Sequence, residues 1–207
     1  YLEALKWFRK AADQGHATAQ NNIGVMYKNG YGVDKNYQEA LKWFRMAADQ
    51  GYALAENSVG VMYQHGLGVE TNYQEALKWY RKASDQGYAL AQSNLGFLYQ
   101  QGLGVQKNYP QALRWYRLAA GQGNAQGQYN LGVMYKNGYG VKRDIQETLN
   151  WLQKAAEQGL IDAQRNLAMM YEGGVAGKQD RNKAMWWYQK AADQADRYSI
   201  EALRRLR

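Results

Sequence analysis

Apolar positions along the chain recur in two alternating registers, each closed by a glycine. One register is seen in ALAQSNLGFLYQQ from Ala89. There Ala91, Leu95, Leu98 and Tyr99 fall at i, i+4, i+7 and i+8, one stripe of an amphipathic helix. The other is seen in NYQEALKWYRKASDQG from Asn72 to Gly87. It predicts a second helix that buries Tyr73, Ala76, Leu77, Tyr80, Ala83 and Ser84, with Trp79 at the edge of the face. The two registers repeat together: Trp7, Trp43, Trp79, Trp115, Trp151 and Trp187 stand 36 residues apart. A fixed period of this length means stacked supersecondary units. The tryptophans read as core and inter-repeat packing.

The punctuation is consistent from copy to copy. Asn36, Asn72, Asn108, Asp144 and Asp180 are N-cap types at the start of the second helix. Glu39, Glu75, Gln111 and Glu147 three residues later predict a capping box, which Lys183 breaks in the last copy. Pro110 falls in a first turn, where a missing N–H is harmless. Gly30, Gly66, Gly102, Gly138 and Gly174 end the first helix, and Gly15, Gly51, Gly87, Gly123 and Gly159 end the second. Glycine also recurs in mid-helix at 24, 60, 96 and 132, with Ala168 in the last copy. Its helix cost of about 1 kcal/mol predicts that a neighbouring backbone passes close by. The Gly-x-Gly-Val loops at Gly30, Gly66, Gly102 and Gly138 follow helices rather than strands and lack a third fingerprint glycine. They read as structural turns plugged by a buried valine, and not as phosphate cradles.

These elements predict one all-α solenoid. It comprises a lone second helix (1–15), five repeats (16–51, 52–87, 88–123, 124–159, 160–195) and a C-terminal capping helix (196–207). The last copy has drifted. Its loop runs Gly-Gly-Val-Ala-Gly from Gly173 to Gly177, and Ala195 replaces the closing glycine. Ile200 and Leu203 give the tail an apolar stripe, with Arg204, Arg205 and Arg207 outside it. The N-terminal edge carries no such cap and is expected to fray or self-associate. A helical pattern from Tyr1-Leu2-Glu3-Ala4-Leu5 without an initiator Met reads as a piece of a longer chain.

Composition narrows function little. The 207 residues carry a formal net charge of +8, which admits acidic partners, nucleic acid or anionic surfaces. With no cysteine there is no disulfide framework or thiolate metal site, and no apolar run reaches the length of a membrane span. Two histidines, His16 and His65, stand far from any partner in sequence, and the carboxylates sit at repeated capping positions. Neither a catalytic pair nor a cofactor or metal motif is visible. A hydrolase remains a remote alternative.

The motif Leu95-Gly96-x-x-Tyr99 with Ala76-x-x-x-Tyr80 resembles the tetratricopeptide repeat, apart from Gln92 in place of its tryptophan and a period of 36. Asn94-Leu95-Gly96-x-x-Tyr99, Gly102-x-Gly104-Val105 and Ala76-x-x-Trp79-Tyr80-x-Lys82-Ala83 together resemble the Sel-one-like repeat family. The resemblance implies antiparallel hairpins stacked in a right-handed α/α superhelix, with the first helices lining its concave side. It also implies a bacterial adaptor that assembles protein complexes, periplasmic or secreted, with a bearing on host interaction. The cysteine-pinned Helicobacter branch is not matched.

Between copies, the positions at i, i+3 and i+7 of the first helix vary while their neighbours do not, so stacking leaves them free. They include Leu54, Asn57, Val61; Leu90, Ser93, Phe97; Gln126, Tyr129, Val133; and Arg165, Met169. With Asn94 and Asn130 they form the expected partner-binding strip for an extended peptide or helix, and the apolar Leu90, Phe97 and Tyr129 are its anchors. The bland reading is that these side chains fill gaps between repeats. A basic row on the second helices (Lys6, Arg9, Lys42, Arg45, Lys78, Arg81, Arg114, Arg117) offers the alternative of a nucleic-acid or anionic-surface binder. Interleaved Glu3, Glu39 and Glu75 favour intrahelical pairs instead.

Overall fold

The computed structural model describes residues 1–175 and 177–206, and among these every regular element is helical. Ala176 of the drifted loop and Arg207 of the basic tail lie outside the described residues. The helices form two compact units. The first, Tyr1–Lys107, contains α1 (Leu2–Ala12), α2 (Ala17–Asn29), α3 (Tyr37–Ala48), α4 (Ala53–His65), α5 (Tyr73–Asp85) and α6 (Ala89–Gln101). The second, from Asn108 on, contains α7 (Tyr109–Gly121), α8 (Ala125–Asn137), α9 (Ile145–Glu157), α10 (Ile161–Glu172), α11 (Arg181–Ala192) and α12 (Arg197–Leu206). Each unit opens on a helix of the second type, runs through two antiparallel hairpins (α2–α3 and α4–α5, or α8–α9 and α10–α11) and closes on a helix of the first type.

Local chemistry explains the helix ends. Asn36 and Asn72 accept the N–H of Glu39 and Glu75 at 3.0 Å, and Asp180 accepts that of Lys183 at 2.9 Å. The capping box is only half made. The N–H of Asn36, Asn72 and Asp180 goes to the carbonyl of Tyr27, Tyr63 and Tyr171, nine residues back on the first helix. Glu39 and Glu75 are therefore released to pair with Lys42 and Lys78, each at 2.5 Å. For the same reason Lys183 costs the cap nothing.

The mid-helix glycines Gly24 and Gly60 meet rings rather than backbone. A Cβ on Gly24 would stand 2.6 Å from the Phe44 ring, and one on Gly60 would stand 2.6 Å from the Tyr80 ring. Close backbone approach occurs instead at the second loop glycine. A Cβ on Gly68 would lie 2.5 Å from the Tyr37 carbonyl carbon, and one on Gly104 would lie 2.5 Å from that of Tyr73. The loop valines are half-buried rather than plugs.

Buried alanines let the helices approach closely. The core of the first unit includes Leu5, Ala19, Ile23 and Met26, and that of the second includes Leu152, Leu167, Tyr188 and Leu203. The tryptophan ladder is uneven: Trp115 and Trp187 are buried, whereas Trp7 on α1 is 61% exposed.

A polar clasp invisible in the hydrophobic pattern joins consecutive repeats. Gln20, buried on α2, donates to the Ala12 carbonyl at 3.4 Å and accepts from Gln50 at 2.7 Å, tying three successive helices. Gln164 repeats it, donating to Ala156 at 3.0 Å and accepting from Gln194 at 2.9 Å. Gln92, which departs from the tetratricopeptide pattern, occupies the same position and donates to the Ser84 carbonyl at 3.4 Å.

Candidate functional site

The structure divides the expected strip into open and closed positions. In the first unit, Leu54 and Val61 of α4 and Leu90 of α6 come together along a groove of about 260 Å³, with Lys28, Ser58 and Tyr88 at its sides. Leu90 is 39% exposed, and Phe97, two turns further along α6, is 36% exposed. Small-molecule pockets span roughly 300–1,000 Å³, so this groove suits one or two side chains of a partner better than a metabolite.

Two of the expected contact residues are closed. Ser93 is only 1% exposed, and Asn57, 5% exposed, reaches the groove only at its floor. On α4 the i+3 position faces the neighbouring first helix: Asn94 donates to Asn57 Oδ1 at 2.9 Å. Asn94, expected as a free polar contact, is thereby committed to the stack. Asn21 shows the same place with the bond missing. Position 58 carries a serine that bonds to the Leu54 carbonyl, and Asn21 Oδ1 is left buried without a partner.

In the second unit the polar members of the strip also serve their neighbours. Gln126 donates to Asn130 at 3.1 Å, and the Tyr129 hydroxyl accepts from Asn166 at 3.1 Å. Burial, with the nearby Asp162 carboxylate, pushes the Tyr129 phenol above its usual pKa. Arg165 bonds to Asp162 and, at 2.7 Å, to Asp196, the N-terminal cap of α12. Burial alone would raise the Asp196 pKa, but the bonds from Ser199 and the charge of Arg165 hold it below the ordinary carboxylate value. Val133 is half-buried and Met169 is exposed. The apolar positions Leu54, Val61, Leu90, Phe97, Val133 and Met169 therefore keep accessible surface, whereas Asn57, Asn94, Tyr129 and Arg165 bond to neighbouring helices and Gln126 and Asn130 bond to each other within α8.

The basic row is similarly engaged. Arg9 and Arg117 donate to the hydroxyls of Tyr27 and Tyr135 at 3.0 and 3.1 Å, and Arg45 and Arg81 bond in the same way to Tyr63 and Tyr99. The separation is 18 residues each time, half a repeat, so these arginines fasten a second helix to the next first helix. Lys6, Lys42 and Lys78 pair with Glu3, Glu39 and Glu75. Arg114 lies over the Trp115 ring, 5.4 Å from its centre.

His16 caps the start of α2 without a side-chain hydrogen bond, and His65 ends α4. Among the described residues, no cluster of three His, Asp or Glu side chains is placed to hold a metal ion. Nor is any helix among them long and apolar enough to cross a membrane.

Comparison with known proteins places this architecture. The Sel1 repeat family model matches residues 1–16, 17–52, 53–88, 89–124, 125–160 and 161–196. The chain is similar to a protective antigen of uropathogenic Escherichia coli strains that displays an SLR fold. Identity is 40% and the TM-score 0.82, over all of this chain and 44% of that one. It is also similar to a Sel1 repeat protein from Oxalobacter formigenes (38% identity, TM-score 0.84), over 92% of this chain and 76% of the other. An immunity protein from Pseudomonas aeruginosa, at 24% identity and TM-score 0.65 over 91% of this chain and 72% of its own, shares the fold. The chain thus spans less than half the length of the Escherichia coli antigen. No curated protein matches it.

Proposed function

Because the chain belongs to the Sel1 repeat family, whose repeats typically mediate protein–protein interaction, we infer that it is a non-catalytic scaffold. It holds a peptide or protein partner along its first helices. The observation that carries this reading is the apolar groove of Leu54, Val61 and Leu90, with Phe97 exposed further along α6. Its volume of about 260 Å³ admits the side chains of an extended segment or a helix, and exposed leucine and phenylalanine are suited to desolvated anchoring contacts. The contact set is accordingly narrower than the sequence suggests. It comprises Leu54, Val61, Leu90 and Phe97 in the first unit and Val133 and Met169 in the second, because the polar positions are bonded to one another or to neighbouring helices.

The test is capture of a partner by a photo-crosslinking residue placed at Leu90, compared with one at the exposed α5 position Lys78. A partner crosslinked at 90 and not at 78, and lost in Leu54→Asp plus Leu90→Asp with an unchanged melting curve, supports the scaffold reading. Equal capture by the double variant moves binding to another face.

A further inference from the structure

Among the described residues that line the groove of the first unit, Lys28, in the last turn of α2, is the only one that carries a charge. Leu54, Val61 and Leu90 account for apolar side chains of a partner, but not for a half-buried ammonium group beside them. In other repeats the equivalent position has a fixed task. Gln64 accepts the Tyr80 hydroxyl at 2.8 Å, and Glu172 accepts the Tyr188 hydroxyl at 2.7 Å. Each bond joins the last turn of a first helix to the ring on the second helix of the same hairpin.

At α2 that ring is Phe44, which has no hydroxyl and lines the same groove. The correlation runs along the sequence: Gln100 accompanies Tyr116, and Lys136 accompanies Leu152. A hydrogen-bond acceptor stands where the ring carries a hydroxyl, and a lysine where it does not. The helix dipole favours a cation in the last turn of α2, yet it would do so equally in α4 and α10, which carry Gln64 and Glu172 there. The residue follows the ring and not the dipole. Lys28 is therefore released from the bond that occupies its counterparts. Among the described residues it forms no ion pair, in contrast to Lys6, Lys42 and Lys78.

We propose that Lys28 takes an aspartate or glutamate side chain of the partner segment whose apolar side chains enter between Leu54, Val61 and Leu90, an assignment that rests on the groove being the docking site. A lysine stem laid against apolar surface holds its head where an arriving carboxylate is partly dehydrated, and there an ion pair is stronger than on an open surface. The net charge of +8 draws an acidic partner in the same direction. The occupant is thus an apolar segment with a carboxylate beside its anchors, and not a uniformly apolar one.

Acetylated and amidated peptide pools test this, each holding paired leucines and one fixed Glu, Gln or Lys among random Ala and Ser, and passed over the immobilised 207-residue chain. The Glu pool is expected to bind about fivefold more tightly than the Gln pool at low salt, with the Lys pool weakest. The advantage should shrink as salt rises. Lys28→Gln, which matches positions 64 and 100 and is checked by its melting curve, should erase the difference, and Lys28→Glu should favour the Lys pool. Equal binding of the Glu and Gln pools, with both lost in Leu54→Asp plus Leu90→Asp, overturns the Lys28 assignment and leaves the groove standing. A Glu preference that persists in Lys28→Gln overturns it as well. A Gln pool with its C-terminal carboxylate freed that outbinds the Glu pool moves the contact to a chain terminus and overturns the side-chain assignment. No binding by any pool, or binding that survives the double aspartate variant, overturns the docking groove and this assignment together.

Discussion

Gly60→Ala is the substitution in which two opposed effects can be weighed directly. An alanine inside a helix gains about 1 kcal/mol over glycine. At residue 60, however, the new Cβ would stand 2.6 Å from Cδ1 and Cε1 of Tyr80, against an ordinary carbon contact of about 3.5–4.0 Å. The ring has no room to yield. Tyr80 is fully buried, and its hydroxyl donates to Gln64 at 2.8 Å. Overpacking of this kind costs about 1–3 kcal/mol, and leaving the hydroxyl unpaired would cost about 1–3 kcal/mol more. The net expectation is a loss of about 1–5 kcal/mol, or about 2–4 °C in melting temperature for each kcal/mol. Gly121, at the end of α7, has nothing within 4 Å of its would-be Cβ, so Gly121→Ala should be neutral or raise the melting temperature. Gly132 faces Leu152 at 3.2 Å, a branched side chain that can shift, and should fall between the two. Calorimetric melts of the three variants decide the matter. If Gly60→Ala melts as high as Gly121→Ala, the ring does not set the residue at that position.

Three further outcomes follow from single sites. Ser84 occupies a place held by Ala48, Ala120 and Ala156 in other repeats, and its hydroxyl is buried without a partner, so Ser84→Ala should stabilise by about 1 kcal/mol in urea melts. Ala195 holds φ at +66° where five earlier turns have glycine, and Ala195→Gly should raise stability by about 1 kcal/mol in the same assay. Glu56 replaces the clasp glutamine; burial raises its pKa despite the attraction of Lys82 and the bond from Gln86. The folded state then binds this proton more tightly than the unfolded chain. Its stabilising contribution is complete below the ordinary carboxylate pKa and is lost as pH rises through the raised value. Glu56→Gln should therefore be more stable than the wild type at neutral pH and match it in acid. A constant difference across the pH range would show that the carboxylate does not titrate differently on folding.

Much of this fold was legible because the repeat displays its own constraints. Asn72 and Gly102 declare helix ends through local hydrogen bonding and a left-handed backbone, which depend on neighbouring residues alone. What escaped were contacts made at separations that a helical period does not carry. The Tyr63 carbonyl takes the N–H of Asn72 that a capping box would use, and Arg45 reaches Tyr63 half a repeat away. The candidate strip was half readable for the same reason. A first helix has three neighbours rather than one, so a position opposite the main stripe, such as Asn57, can still face protein. Variation between copies identified Leu54, Leu90 and Phe97, which remain open, but it could not separate them from Ser93, which is closed.

The glutamine clasp also governs the order in which such a chain comes apart. Since Gln20 holds the end of α1 and is itself held by the turn after α3, loosening α1 strands one buried amide but leaves the Gln50 link intact. Melting from that end should proceed as successive latches released one by one. Within the first unit, amide hydrogens would then exchange faster in α1 than in α2 and α3 behind it.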